Sequence, residues 1–96
     1  MSPKKRKKLE ILRKKLDKLD DSFISLIKKR TSLVTEVLKL KNYKYQIVDK
    51  NRINQILLRI KKKLIKNNID TRITKRIWKN MIWSYIDFER RNFKKK

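Results

Sequence analysis

Three charged residues, Arg30, Lys41 and Glu89, stand where the sequence pattern asks for apolar side chains, and their spacing suits the capture of an anion. From Leu9 to Leu40 the residues Leu9, Leu12, Leu16, Leu19, Phe23, Leu26, Arg30, Leu33, Val37 and Leu40 recur at alternating intervals of three and four. That rhythm marks a helix with an apolar seam, and Arg30 interrupts it. Lys41 lies eleven residues further on, which at 100° per residue returns to within about 20° of the same face, about 16 Å along the axis. Two cations therefore overlook one stretch of groove. Near the other end of the chain Trp78, Ile82, Tyr85 and Glu89 follow a four-three-four rhythm, which puts a carboxyl on an inward stripe. A charge so placed is costly unless something pairs with it. Two readings stand side by side. One is an internal ion pair, Arg30 or Lys41 with Glu89, that holds helix register; the other is an anion site between helices, the usual place for ligands in bundles. Arg13 lies about 25 Å before Arg30 and roughly 100° to one side. It is either a solvated rim residue with its head in water, or it reaches such a ligand from an antiparallel second copy of the chain.

Composition narrows the chemistry these residues can do. The chain has 96 residues with no cysteine, histidine, glycine or alanine, one proline, and 31 basic against 9 acidic side chains, a formal charge of +22. Without Cys and His there is no disulfide framework, no ordinary zinc site and no Ser-His-Asp or Cys-His nucleophile. Without glycine there is no dinucleotide fingerprint and no P-loop. No metal and no cofactor is expected. The positive charge makes nucleic acid a partner to weigh, since neutralising phosphates releases counterions without any sequence readout. Lys, Ile and Asn together supply 42 of the 96 residues, however, a skew that an AT-rich genome imposes through codon supply. Nucleic-acid binding is therefore expected only as a nonspecific effect of charge, a field that would also attract a small polyanion.

The elements that must position Arg30, Lys41 and Glu89 are three helices, so the fold class is all-α. The first is long, Leu9 to Leu40, with no glycine or proline inside it. Asp49 is a good N-cap for a second, shorter helix carrying Ile53, Ile56, Leu57, Ile60 and Leu64. Asn67-Asn68 suits its end, and Asp70 or Thr71 caps a third helix with Ile73, Ile77, Trp78, Met81, Ile82, Tyr85, Ile86 and Phe88 on its apolar face. Residues 1–8 and 94–96 are expected as disordered basic tails flanking a single helical domain at 9–93. A chain of this length buries only about two-thirds of its unfolded surface, and so long a helix in so short a chain implies pairing with its copy. The longest uncharged run, Asn80 to Ile86, is far short of the roughly 20 apolar residues that span a bilayer. The start lacks the apolar segment of a secretory signal, so a cytoplasmic location is expected.

At Leu12-Arg13-x-x-Leu16-x-x-Leu19-Asp20, then Leu26-x-x-x-Arg30, Val37-x-x-x-Lys41, Asp49-x-x-Arg52, Ile77-Trp78, and on through Ile82, Tyr85 and Glu89, the chain resembles the all-α class of chorismate mutases. The resemblance runs from about residue 9 to 93. It implies an intertwined homodimer of three-helix chains with two equivalent sites, each completed by an arginine from the partner's long helix, as the distance argument for Arg13 also allows. The implied reaction is the pericyclic rearrangement of chorismate to prephenate in phenylalanine and tyrosine biosynthesis. It needs no covalent catalysis, metal or cofactor. By position, the resemblance implies that Arg30, Arg52 and the partner's Arg13 clamp the two carboxylates, that Lys41 donates to the ether oxygen and a carboxylate, and that Asp49 lies near the ring hydroxyl. Glu89 takes the place of the glutamine or glutamate that donates to the ether oxygen.

Two positions depart from that pattern. Ile53 stands where many members place a glutamate on the ring hydroxyl. Glu89, unlike an amide, can donate only when protonated. An apolar residue after Arg52 and Tyr85 four before Glu89 also resemble the isochorismate-pyruvate lyases, which share the fold and are the alternative assignment; a non-enzymatic basic helical module that binds nucleic acid is the other. Ser84 has two readings, contact with a carboxylate or a small interface residue. Trp78 and Trp83 read as core or interface packing.

Overall fold

Helix α1 (Pro3–Leu40) begins with a local start signal. In the computed structural model, which describes residues 1–95, Pro3 occupies the first helical position, where its missing N–H costs nothing, and Ser2 Oγ accepts from the Lys5 N–H at 3.3 Å. Of the basic run expected as a disordered tail at residues 1–8, residues 3–8 therefore open α1. Proline and a serine cap outweigh the crowding of like charges, which solvent screens at exposed positions. Of the expected C-terminal tail, Lys94 and Lys95 follow the last helix without helical structure, and Lys96 lies outside the described residues.

The chain divides into two compact units, Met1–Leu33 and Val34–Lys96. The first is wholly helical after Ser2. Its seam is laid out as the spacing requires, yet Leu12, Leu16, Leu19, Phe23, Leu26 and Leu33 are all exposed, Phe23 at 57% and Leu33 at 67%. No side chain of this unit is buried among the described residues.

The second unit holds the core. After the last turns of α1 come a single 3-10 turn (Lys44–Gln46), α2 (Lys50–Lys66) and α3 (Thr71–Asn92). Gln46 Oε1 ties the turn down by accepting from the N–H groups of Asn42 and Tyr43 at 2.7 and 2.9 Å. Asp49 caps α2, its Oδ1 accepting from the Arg52 N–H at 3.0 Å. The end of α2 is a Schellman turn: the Ile69 N–H reaches Leu64 O at 3.0 Å and the Asn68 N–H reaches Ile65 O at 3.3 Å. Asn68 carries the positive φ of 54° that this turn demands and that asparagine tolerates. Asp70 caps α3 by accepting from the N–H groups of Arg72 and Ile73. Ile56, Ile60 and Leu64 from α2 meet Ile82 and Ile86 from α3, with Leu38 and Ile47 closing the cluster and Trp78 and Phe93 packed against it. Trp83 points outward and is exposed. All the described helices are too short or too polar to cross a membrane.

Candidate active site

Lys41 and Glu89 meet. The sequence of α3 places Glu89 one turn beyond Tyr85 on the stripe that Ile82 and Ile86 turn toward the core, and the residue is buried, with 5% exposure. Lys41 follows the last residue of α1, and its backbone N–H bonds back to Leu38 O at 3.1 Å, which holds its backbone close to the helix end. From there Nζ donates to Glu89 Oε1 at 2.9 Å. The lysine side chain keeps 18% exposure, so the pair has one shielded partner and one that still reaches solvent. Such an arrangement suits ligand capture. A buried carboxylate fixes the ammonium, while the ammonium stays accessible to an incoming anion.

Asp49 and Arg52 sit together at the start of α2. The Asp49 carboxylate is engaged by the Arg52 N–H, and both residues are exposed. The guanidinium thus projects from a helix start whose geometry the cap fixes. Ile53, one residue on, is half-buried and packs against the core cluster, so its apolar character has a structural reason. Ser84 is exposed on α3. Tyr85 is half-buried, its ring edge-on to Phe88 with centroids 6.3 Å apart. Arg13 and Arg30 belong to the first unit, on α1; Arg13 is exposed and Arg30 half-buried. The structure thus joins Lys41 directly to Glu89, and Asp49 to the backbone of Arg52.

One set of residues near this site carried no sequence signal. Lys95 Nζ donates to Lys39 O at 2.6 Å across 56 positions of sequence. A lysine in a basic tail shows nothing in its spacing that foretells such a contact.

The described chain is thus all-helical, with a carboxylate-ammonium pair between the end of α1 and the last turns of α3. The sequence profile of the family described as chorismate mutase type II matches residues 12–90. The chain belongs to that family, an all-helical family of isomerases. Compared with curated proteins and with solved structures, it shows no significant match.

Proposed function

We propose that the protein is a chorismate mutase, an intramolecular isomerase of phenylalanine and tyrosine biosynthesis that acts in the cytoplasm as an intertwined homodimer. The observation that carries the reading is the Lys41–Glu89 pair at 2.9 Å, found at the two positions the family resemblance assigns to the ether oxygen. In the reaction a carbon–oxygen bond breaks while a carbon–carbon bond forms, and no group of the protein bonds to the substrate. Catalysis consists of holding the dianion in its chair-like reactive conformer and stabilising the charge that grows on the ether oxygen. Lys41 supplies the positive charge that opposes it. Arg30, Arg52 and the partner's Arg13 hold the carboxylates through their planar forks. Glu89 anchors Lys41 through its carboxylate.

The dimer is supported by the exposed seam of the first unit. Each Leu or Phe moved from water into an interface contributes about 1.5–3 kcal/mol, and Leu12, Leu16, Leu19, Phe23, Leu26 and Leu33 offer a continuous stripe for a second copy.

Ile53 favours a second reading. Its side chain serves the core and offers no hydrogen bond to a ring hydroxyl, which fits an isochorismate-pyruvate lyase equally well. Incubation with chorismate and, separately, with isochorismate, assaying prephenate and pyruvate, separates the two. Prephenate from chorismate, lost in Arg30→Ala, is the expected result. Pyruvate from isochorismate alone moves the assignment to the lyase. Silence on both substrates, with DNA binding that weakens steeply with salt, leaves the basic helical module.

A further inference from the structure

The end of α1 is held by more than the Lys41–Glu89 pair. A helix leaves its last carbonyls without intrahelical partners, and a cation there is favourable because it meets both the free oxygen and the negative end of the helix dipole. Leu38 O is taken by the Lys41 N–H, and Lys39 O is taken by the Lys95 ammonium at 2.6 Å. Lys95 can reach it because the chain leaves α3 at Phe93, whose backbone is extended (φ −72°, ψ 121°). Phe93 itself is half-buried against the core cluster. The segment after α3 thus joins the same two places that Lys41 and Glu89 join, since Lys39 lies two residues before Lys41 and Phe93 lies four after Glu89. An open pocket of about 290 Å³ is lined by Leu38 and Lys39 at the end of α1 and by Phe93, Lys94 and Lys95 of the segment, among others. Phe93 holds the segment by packing, and the Lys95 hydrogen bond is the contact that ties its far end to Lys39.

We propose that Phe93–Lys95 is a positioning strap for the active site: Phe93 anchors it, Lys95 caps α1, and together they hold the backbone of Lys41 where its ammonium meets Glu89 and the substrate. Lys95 is a positioning residue, acting through Lys41. The inference rests on the reading of Lys41 and Glu89 as active-site groups, so its test carries one readout that needs no turnover.

The experiment compares the full chain with Lys95→Met, which keeps the stem and removes the donor, and with Lys95→Arg, which restores a donor. Steady-state kinetics with chorismate are measured beside amide hydrogen exchange at Lys41, with Ile60 in α2 as the internal reference. Lys95→Met is expected to lower kcat about three- to tenfold, the scale of one net hydrogen bond, with KM changed less than about twofold because the carboxylate clamps remain. It is expected to speed exchange at Lys41 while leaving Ile60 unchanged, and Lys95→Arg restores both. Unchanged exchange at Lys41 overturns the strap, and so does equal acceleration at Lys41 and Ile60, which marks general destabilisation. Lys41-specific exchange with unchanged kcat also overturns its role in positioning. If the unaltered chain makes no prephenate, the mutase reading fails, and the exchange data still decide whether the strap exists.

Discussion

Read as an active-site contact, the Lys41–Glu89 pair serves stability and chemistry together. Removing one partner of a shielded ion pair leaves the other charge without compensation, a loss of about 3 kcal/mol or more when both are deeply buried and less here because Lys41 keeps some access to water. Lys41→Met should therefore lower the urea midpoint, and it should also cut kcat/KM by about 10²-fold or more, since it removes the donor aimed at the developing charge. Loss of stability with intact turnover would assign the lysine a purely structural role.

At the level of elements, the helix ends are specified by local chemistry that can be tested apart from the site. Asp70 accepts from two N–H groups at the start of α3, and losing such a cap costs about 1 kcal/mol. Asp70→Ala should lower Tm by several degrees, as expected for a domain of this size, while kcat stays unchanged because α3 carries Glu89 more than four turns away. Asp49→Ala should cost a similar amount of stability and should raise KM as well, because the same cap orients the first turn of α2 from which Arg52 projects. Calorimetry and steady-state kinetics on the two variants separate a cap that only stabilises from one that also aims a binding residue.

The whole molecule poses the question of what covers the seam of the first unit. A homodimer with shared sites makes a quantitative prediction. Arg13→Ala and Arg30→Ala should each be nearly inactive alone. When the two are unfolded together and refolded, half of the dimers are mixed and each of those contains one site with both arginines, so activity should recover to about a quarter of the wild-type value. No recovery would place Arg13 and Arg30 in the same site of one chain, and full activity of Arg13→Ala alone would put Arg13 outside the site. Phe23→Glu puts a charge into the middle of the seam and should lower the sedimentation mass to that of one chain and abolish turnover.

Much of this was legible in the residues themselves. The three helices, the Asp49 and Asp70 caps and the Asn67-Asn68 stop follow from interactions between residues two to five apart, which spacing and side-chain type determine without reference to the rest of the fold. The apolar seam and the inward placement of Glu89 follow from the 3.6-residue period in the same way. Spacing left the partner of Glu89 open between Arg30 and Lys41, and the fold puts Lys41 at 2.9 Å, because that distance depends on how the chain turns back after Leu40. The helical state of residues 3–8 was missed because a run of like charges reads as a tail, although Ser2 and Pro3 already held a local start signal. The Lys95 contact with Lys39 was beyond reach, since no periodicity links residues 56 apart. Sequence alone determined where each helix begins to favour itself and which face it turns inward. Only the tertiary structure decided which charges meet, because a pairing across elements depends on the path of the chain between them, and local spacing does not encode that path.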